Sequence, residues 1–420
     1  MTALHSPIDV LIIGGGPTGM MAALSVKHHH PQYSVVIIDQ ASLLGRKLAI
    51  SGSGRGNLTN KKLEQNPELF FHGNKELISS VFGQFGYTDT IKFFDDLGVP
   101  LYEEKKTEQG KMFPVIENAQ TVRNILVDAL LEKGIVIVNN TTATGIVRKN
   151  DQWIVTTHTQ KEYFSYFVIL TCGGKTYPAL GSDGSGYTLL SSVGHTIVPP
   201  VVSAVPLVAK NPLSQILQGE KCRMRVTPII AGEKRKEAMG EVLFTQYGLS
   251  GPAILDVSRD ISIRINREGK KDTTLQLSFF PETAIEEVKK IIKQRLEKHP
   301  TLPVAHALWG LLTEKIAGAV CAVSAIPKDR IAKDMTNQEM QKLIGTLTSH
   351  MVSVTDTRGW NEGEFTAGGV DTNEIIPETL ESKYAKGLFI AGEVLNVDGP
   401  VGGFNLSWSW ASGWVAGKLQ

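Results

Sequence analysis

Residues 9–39 read DVLIIGGGPTGMMAALSVKHHHPQYSVVIID, and this stretch decides the fold class of the chain. Residues 10–13 form a short apolar run, typical of a parallel strand buried on both faces. Gly14, Gly16 and Gly19 then supply the pattern G-x-G-x-x-G. Such glycines make a tight turn, let the backbone approach a pyrophosphate and allow a helix to pack closely on the strand. The helix that follows directs its N-terminal N–H groups at the phosphates.

A second apolar run at residues 35–38 ends in Asp39, twenty residues after Gly19. A carboxylate at this place accepts hydrogen bonds from both ribose hydroxyls and repels a 2′-phosphate. Glycine turns alone are common, but here strand, glycine turn, helix, second strand and acid all follow at the expected distances. The stretch therefore predicts a dinucleotide-binding unit, and by itself it leaves open whether the dinucleotide is FAD or NAD.

Composition bounds the class of protein. The chain has 420 residues, enough for two or three domains, and its hydrophobic (42%) and charged (20%) contents are typical of soluble globular proteins. A formal net charge of +1 provides no global field that would recruit nucleic acid or acidic lipid. The sequence shows neither a signal peptide nor a membrane span, and it indicates no particular oligomeric state.

The three cysteines, Cys172, Cys222 and Cys321, lie far apart in the sequence and form no C-x-x-C. This spacing argues against a zinc site, a disulfide framework and the redox-active cysteine pair of disulfide reductases. The expected compartment is the reducing cytoplasm. Cys172 follows an apolar strand and could be read as a nucleophile, but a small buried thiol is the more usual interpretation because no basic partner is adjacent.

Two changes of pattern divide the chain. Residues 199–281 contain short strands with no helices between them, which is typical of an antiparallel barrel or sandwich. Residues 282–347 change to helical period, and residues 348–358 look like a strand that returns to the barrel. The predicted strands of the first of these regions are 201–209, 222–230, 240–246, 261–266 and 273–280. The predicted domains are a discontinuous dinucleotide-binding domain (1–198 and 352–420), an inserted β-barrel domain (199–281 and 348–358) and a helical domain (282–347).

The last forty residues repeat the order strand, acid, glycine turn and helix. Residues 387–391 form a buried strand, Glu393 follows where it can bind a sugar-like polyol, and residues 398–405 read DGPVGGFN. The helix that starts near Gly403 directs its positive end at whatever lies before it. Two chain ends that converge on one ligand favour FAD over NAD, since FAD lies extended and needs a distant segment for its ribitol and ring. No second G-x-G-x-x-G follows a strand, so NAD(P)H is expected only as a transient donor.

The glycine-rich segment at residues 44–60, LGRKLAISGSGRGNLTN, is the remaining part of the predicted site. Arg46 and Lys47 follow the ribose-binding acid within plausible reach of the pyrophosphate. Arg55 and Asn57 stand among glycines that would let the backbone approach a flat ring. The alternative is a flexible surface loop.

Five stretches resemble the bacterial BaiN/YhiN-type flavoproteins, and the resemblance covers nearly the whole chain. They are GGGPTGMMAA, LGRKLAISGSGRGNLTN, LTCGGKTYPALGSDGSGY, GEVLFTQYGLSGPAIL and AGEVLNVDGPVGGFNLSWSWASG. The resemblance implies an α/β fold: a glutathione-reductase-type Rossmann FAD-binding domain with an inserted antiparallel β-barrel and a small helical domain. The expected FAD-binding residues are Gly14, Gly16, Thr18, Gly19, Asp39, Gln40, Arg46, Lys47, Gly54, Arg55, Asn57, Ala143, Gly173, Gly174, Gly392, Glu393, Gly402, Gly403, Phe404, Asn405 and Leu406.

The chain also departs from that family. Relatives usually read GGGRCN where this chain reads GSGRGN, so Gly56 replaces a cysteine expected near the flavin ring. Gln246 replaces a histidine of the stretch LFTHYGLSGP. Both changes remove a candidate proton donor and leave Tyr247 as the nearest candidate hydroxyl, with a merely packed tyrosine as the alternative.

These patterns predict an FAD-dependent oxidoreductase that transfers hydride between flavin N5 and a small substrate or activated C=C, with NAD(P)H as a possible transient donor. Three alternatives stay open: a dihydrouridine synthase acting on ribosomal RNA, an aminoketone oxidase, and a non-enzymatic flavin-binding regulator. The RNA alternative draws on a basic cluster, for which a solvated strand face is the simpler explanation because aromatic residues do not interleave with it. Its members are Lys221, Arg223, Arg225, Lys234, Arg235 and Lys236.

Overall fold

The computed structural model describes residues 7–105 and 109–420, so residues 1–6, on which the targeting prediction partly rests, lie outside it. The chain divides into two compact units. The first comprises Met1–Val202 and Glu364–Gln420, and the second comprises Ser203–Gly363. The finer division into three domains stays a prediction. Within the described residues, no helix is both long and apolar enough to cross a membrane.

The first segment of the first unit carries ten strands and six α-helices in the part of the chain that the structure describes. The strands are β1 (Ile8–Ile13), β2 (Val35–Ile38), β3 (Thr59–Asn60), β4 (Leu101–Glu103), β5 (Lys111–Pro114), β6 (Val136–Val138), β7 (Ala143–Lys149), β8 (Gln152–Thr157), β9 (Glu162–Leu170) and β10 (Ile197–Ser203). The helices are α1 (Pro17–His29), α2 (Arg46–Ala49), α3 (Lys75–Gln84), α4 (Tyr87–Asp96), α5 (Ala119–Glu132) and α6 (Ser185–Ser192).

The second unit and the C-terminal segment complete the list of elements. The second unit contains β11 (Leu207–Val208), β12 (Lys221–Ile230), β13 (Glu233–Lys234), β14 (Ala238–Thr245), β15 (Gly248–Ser250), β16 (Thr273–Ser278), β17 (His350–Val354) and β18 (Asp356–Thr357). Its helices are α7 (Pro212–Ile216), α8 (Pro252–Ser262), α9 (Ile285–Lys298), α10 (Val304–Ala307), α11 (Glu314–Val323) and α12 (Asn337–Thr348). The C-terminal segment adds β19 (Phe365–Val370), β20 (Leu388–Ile390) and α13 (Phe404–Ala416).

A mixed sheet organises the first unit, with the strand order β6-β2-β1-β9-β8-β7 and with β20 also pairing with β9. β1 pairs in parallel with β2 and β9, so that Leu11 lies beside Val36 on one side and Val168 on the other. All of β1 except the half-buried Asp9 is buried, as the apolar run at residues 10–13 predicts. The α/β Rossmann architecture predicted from the sequence is therefore confirmed, and the carboxyl ends of the parallel strands lie at one edge.

The last helix packs directly on the first. A Cβ added at Gly413 would lie 2.4 Å from the Thr18 carbonyl oxygen, and one at Gly417 would lie 2.5 Å from that of Ala22. The Ser25 hydroxyl donates to the Trp414 carbonyl at 2.6 Å. Small residues on α13 thus allow close backbone contact, and the two ends of the chain form one core.

The second unit is built on an antiparallel sheet with the order β17-β16-β12-β14-β15-β11-β18, and β13 pairs with β12. Its two end strands, β17 and β18, are consecutive in the chain, and the Thr355 N–H between them donates to the Val208 carbonyl at 2.9 Å. The antiparallel pairing agrees with the sequence. Closure of this sheet into a barrel stays a prediction.

Three local predictions were wrong. Residues 261–266 do not form a strand, because they end α8 and enter a π-helical turn. Apolar residues at 254, 257, 261 and 265 give that stretch helical spacing, and the alternation within ISIRIN conceals it. Residues 199–281 do contain helices between their strands, namely α7 and α8, and the segment at 44–60, expected as a loop, contains α2.

Candidate functional site

A cavity of about 650 Å³ lies within the first unit, at the carboxyl ends of β1, β2 and β9. Each of these strands contributes its last residue or the residues just after it to the lining, from Ile13, Asp39 and Cys172. Its volume falls in the range of roughly 300 to 1,000 Å³ that is usual for ligand and cofactor sites. The site is therefore where open α/β sheets bind their ligands.

The glycine turn after β1 combines open space with close packing. Gly16 precedes α1 and lines the cavity, and a Cβ added there would meet nothing within 4 Å. A Cβ at Gly19 would lie only 1.9 Å from the Gly14 carbonyl oxygen. Gly16 thus leaves room for a ligand at the helix N-terminus, while Gly19 allows the helix to contact the turn.

Asp39 is held by backbone donors. The Gly15 N–H donates to Asp39 Oδ2 at 2.6 Å, and the Ala41 N–H donates to Oδ1 at 2.7 Å. Burial raises the pKa of Asp39, and the two backbone hydrogen bonds and the charge of Arg46 act in the opposite direction. Each carboxylate oxygen keeps a further lone pair with which it can accept a hydrogen bond from a ligand hydroxyl.

The C-terminal glycine turn lines the same cavity. Gly402, Gly403 and Asn405 contribute to its wall, and α13 begins directly after Gly403. The Asn405 side chain fixes this turn, because it accepts from the Gly399 N–H at 2.9 Å and donates to the Gly399 carbonyl at 2.8 Å. Two helix N-termini, those of α1 and α13, therefore meet at one cavity and favour negative charge there.

Lys47 and Glu393 form an ion pair in the cavity wall. Lys47 Nζ lies 3.0 Å from Glu393 Oε2 and donates to the Thr176 hydroxyl at 2.7 Å. Glu393 Oε1 accepts from the Thr366 N–H at 2.9 Å and from the Thr176 hydroxyl at 3.3 Å. The polyol-binding acid predicted from the sequence is thus already neutralised by a lysine from the other end of the chain.

Arg55 is held at the wall of the cavity by acidic and aromatic groups. Its guanidinium pairs with Glu104 at 2.8 Å and Glu117 at 2.7 Å, and it lies over the Phe113 ring at 4.1 Å from the centroid. These hydrogen bonds raise the pKa of Arg55, which stays charged. The interpretation of residues 44–60 as a flexible surface loop therefore does not hold for Arg55.

Several buried polar atoms of cavity-lining residues have no hydrogen-bond partner within residues 7–105 and 109–420. They are Ser51 Oγ, Arg55 Nε, Asn57 Oδ1 and Ser182 Oγ. Buried polar groups are normally paired, so unpaired atoms at a cavity indicate a ligand with complementary polar groups. The sequence singled out Arg55 and Asn57, whereas neither serine carried a signal beyond its place beside glycines.

The structure brings most of the predicted ligand-binding residues together in this cavity. The residues that line it are Gly14, Gly16, Thr18, Asp39, Gln40, Arg46, Lys47, Arg55, Asn57, Ala143, Gly173, Glu393, Gly402, Gly403, Asn405 and Leu406. Gly19, Gly54, Gly174, Gly392 and Phe404 do not line it. Gly392, for example, packs behind the wall, where its carbonyl accepts from Trp408 Nε1 at 3.1 Å.

Two further candidates have different surroundings. Tyr247 lies in the second unit, in the turn between β14 and β15, with the Arg358 guanidinium 4.6 Å from its ring centroid. Its catalytic role stays a prediction. Cys172 lines the cavity, and burial, with smaller effects of Asp39 and Asp183, raises the pKa of its thiol to about 12. Although Cys172 is only half-buried, a thiol with this pKa stays protonated, so the interpretation as a packed thiol rather than a nucleophile fits.

Sequence reasoning overlooked Glu364 and Phe365, which line the cavity at the start of β19. The signal was an acid directly before the stretch FTAGGV, in which an apolar strand contains two glycines. A strand of this kind next to an acid is the same combination that identified Asp39 and Glu393. It was missed because the acid comes before its strand, whereas the other two acids come after theirs.

Comparison with known proteins places this fold and site in context. Residues 8–419 match the family model described as HI0933-like protein Rossmann domain. The 3-dehydro-bile acid delta(4,6)-reductase of Clostridium scindens is 33% identical over 97% of this chain and 97% of its own length. The ribosomal RNA dihydrouridine synthase of Escherichia coli is 28% identical over 98% of this chain and 97% of its own length. A flavocytochrome c3 fumarate reductase structure in an open conformation aligns with a TM-score of 0.51 and 16% identity, over 99% of this chain and 78% of that one.

Proposed function

Because this chain belongs to the HI0933-like Rossmann family, the BaiN/YhiN-type FAD-dependent oxidoreductases, we propose that its first unit holds FAD in the cavity described above and reduces an activated C=C bond. The observation that carries the proposal is that both ends of the chain line one cavity, from Gly14–Asp39 at one end and Gly402–Asn405 at the other. An extended dinucleotide needs such a divided site.

The residues present fit FAD. Open space at Gly16 and the N-terminus of α1 suit a pyrophosphate, and Asp39 has acceptor capacity for ribose hydroxyls. The unpaired atoms Ser51 Oγ and Asn57 Oδ1 offer hydrogen bonds to a polar ring system. The N-terminus of α13 would stabilise negative charge on that ring by about 0.3 to 1 kcal/mol if exposed, and more if buried.

FAD, when bound, supplies the hydride, and the protein supplies position and electrostatics. The substrate class follows from the two relatives, because a delta(4,6)-reductase and a dihydrouridine synthase are both named for reductions of a C=C bond. We take NAD(P)H as the source of electrons. It should bind only transiently, since no second G-x-G-x-x-G follows a strand in the sequence. Tyr247, in the second unit, stays a candidate catalytic hydroxyl as the sequence predicts.

A small conjugated ketone is the preferred substrate over RNA. The basic cluster of the second unit, on which an RNA surface would depend, is interleaved with acids. Its ion pairs are Lys221–Glu241 at 3.0 Å, Arg223–Glu282 at 2.6 Å, Arg225–Glu237 at 3.6 Å and Arg235–Glu233 at 3.1 Å. Such paired charges provide little net field for a phosphate backbone.

Anaerobic spectroscopy tests the reaction class. The purified yellow protein is mixed with NADH or NADPH, the flavin absorption is followed, and 2-cyclohexen-1-one or a 3-oxo-Δ4 steroid is then added. Bleaching followed by recovery on addition of an enone supports the proposal. Bleaching by neither nucleotide contradicts NAD(P)H as donor. Fast recovery in air with none on enone addition favours an aminoketone oxidase, and flavin that no donor reduces favours a regulator.

Ribosomal RNA is the second candidate, because full-length relatives carry the name ribosomal RNA dihydrouridine synthase. It predicts RNA binding that weakens steeply with salt and is lost when Arg223 and Arg225 are both changed to Glu. Lys289→Glu with Lys293→Glu, on α9, is the matched charge control. Binding that the Arg223/Arg225 variant leaves unchanged, equal weakening of binding by both double variants, or the absence of binding would favour the small-molecule reading.

A further inference from the structure

Two glutamates line the cavity and accept from the Thr176 hydroxyl, Glu364 through its backbone carbonyl and Glu393 through its carboxylate, and their surroundings differ. Glu393 is fully engaged by Lys47, Thr176 and the Thr366 N–H. Glu364 is attached to the same network only through its backbone, whose carbonyl accepts from the Thr176 hydroxyl at 3.3 Å. The backbone of Glu364 is thus held in place while its side chain is left out of the network.

The Glu364 carboxyl makes no hydrogen bond or ion pair with any residue in the described ranges 7–105 and 109–420. Burial raises its pKa, and the charge of Lys47 lowers it by a smaller amount. Lys47 is itself neutralised by Glu393 at 3.0 Å. An acid that is partly buried, faces a cavity and lacks a partner has the properties of a proton-transfer group.

Arg46, Lys111 and Tyr177 also line the cavity, whereas the other acids of its wall, Arg55 and Lys47 are already committed. Asp39 accepts from two backbone N–H groups, and Lys47 and Glu393 are paired with each other. Arg55 is held as a cation by Glu104 and Glu117. The pKa of the Cys172 thiol, raised by burial to about 12, makes it a poor proton donor at neutral pH.

We propose that Glu364 donates the proton that completes reduction of the substrate C=C bond. This inference rests on the proposed function. In the step, the π bond breaks, one carbon receives a hydride with its electron pair, and the other carbon receives the Glu364 proton. Two C–H bonds form, Glu364 is left as a carboxylate, and it regains a proton from solvent. The substrate carbon that receives the proton must therefore lie on the β19 side of the cavity.

The test compares Glu364→Gln with Glu362→Gln in the full-length holoprotein. Glu362 is a matched control, because it is two residues away, lies in the second unit and pairs with Arg358 at 2.6 Å. Each protein is reduced with dithionite and mixed anaerobically with 2-cyclohexen-1-one or a 3-oxo-Δ4 steroid. Removing a general acid should slow flavin reoxidation by about 10² to 10⁴-fold in Glu364→Gln, with Glu362→Gln unchanged.

Two readouts separate proton donation from structural damage. FAD content, the visible spectrum and the rate of dithionite reduction should match wild type in Glu364→Gln. Infrared titration of the oxidised holoprotein should show a carboxyl that titrates above the usual glutamate range, absent from Glu364→Gln and present in Glu362→Gln. If Glu364→Gln does not fold, Glu364→Asp, which keeps the carboxyl on a shorter side chain, should retain part of the rate.

The outcomes distinguish the two claims. If the enones reoxidise wild type and Glu364→Gln at the same rate, the Glu364 role is overturned while the proposed function stands. The same holds if wild type and Glu364→Gln show the same high-titrating carboxyls, of which Asp39, whose pKa burial also raises, can be one. If neither enone reoxidises the reduced wild type, the proposed reduction is contradicted, and the role of Glu364 fails with it.

Discussion

Two regions of the cavity hold their charged groups in different ways. In the β1–α1–β2 region, the Asp39 oxygens accept from the backbone N–H groups of Gly15 and Ala41. In the region around β19 and α2, side chains hold one another through the Lys47–Glu393 pair, and Glu364 is left without a partner in the described residues. Backbone donors fix one protonation state and suit binding. A side chain that gains or loses a proton without breaking a hydrogen bond suits chemistry.

The β1–α1–β2 region should tolerate substitution least, and Gly19→Ala should cause the largest loss of stability and FAD binding. Its new Cβ would lie 1.9 Å from the Gly14 carbonyl oxygen, so α1 or the turn must move. Overpacking of this kind costs about 1 to 3 kcal/mol or more, and the displaced turn should also fail to hold FAD. Urea unfolding and the flavin content after purification measure the two losses. A yellow protein of unchanged stability would show that this contact is not essential.

Gly16→Ala separates binding from folding, because the same substitution three residues earlier meets open space. Gly16 has φ −73°, which alanine adopts without strain, so stability should be unchanged or rise by about 0.4 to 1 kcal/mol. A methyl group where the backbone approaches a pyrophosphate should lower FAD affinity about 100-fold. Fluorescence titration of the apoprotein checks this value. Full affinity would place the pyrophosphate elsewhere.

In the region around β19 and α2, loss of the Lys47–Glu393 ion pair should lower the stability of the fold. Lys47 and Glu393 are 28% and 18% exposed, so the pair is only partly screened by water. A double-mutant cycle of Lys47→Ala and Glu393→Ala should give a coupling energy of about 0.5 to 3 kcal/mol in urea unfolding. Lys92 and Asp96, an exposed pair at 2.8 Å, supply the control cycle, for which coupling should be smaller. Equal coupling in both cycles would mean that the cavity pair is as screened as a surface pair.

Glu364 should make the free energy of unfolding depend on pH even in the protein without FAD. A carboxyl whose pKa is raised in the folded state favours folding below the pKa of unfolded glutamate, about 4.3, and this contribution is lost as pH rises through the folded-state pKa. Gln does not titrate, so apoprotein Glu364→Gln should become more stable relative to wild type between about pH 4 and neutral pH. Urea unfolding at several pH values measures the difference. A difference that does not vary with pH would argue against a raised pKa.

Changes at Cys172 should have the smallest effect on flavin reduction, although this residue lines the cavity. Because burial raises the pKa of its thiol to about 12, almost no thiolate exists at pH 8. Iodoacetamide should therefore leave Cys172 unmodified in the native protein and modify it after unfolding, as mass spectrometry can determine. Cys172→Ala should retain its flavin reduction rate. Rapid native labelling would instead identify a reactive thiol in the cavity.

The β1–α1–β2 region of the cavity could be predicted from the sequence, and the region around β19 and α2 could be predicted only in part. Gly14, Gly19 and Asp39 are set by local geometry, so their spacing along the chain carries the information. Lys47 and Glu393 were each expected at the site, but their pairing across 346 residues depends on how the chain ends pack. Glu364 gave only a weak local signal, an acid placed before its strand, and its proposed role depends on what surrounds it.

The second unit shows the same limit at the level of secondary structure. The stretch ISIRIN alternates like a strand, yet it follows Gly251 and Pro252, where α8 begins. Its apolar residues continue the helical spacing of Ile254 and Val257 on the buried face. A six-residue window cannot separate the two periods, whereas the full run from 252 to 267 does.

Titration of the apoprotein with FAD and with FMN, followed by quenching of flavin fluorescence, tests the central claim most directly. If both ends of the chain build one dinucleotide site, FAD should saturate at one molecule per chain, and FMN, which lacks the adenosine half, should bind far more weakly. Asp39→Arg should bring the affinity for FAD close to that for FMN. Equal affinity of wild type for FMN and FAD, or no saturable binding of either, would contradict the account.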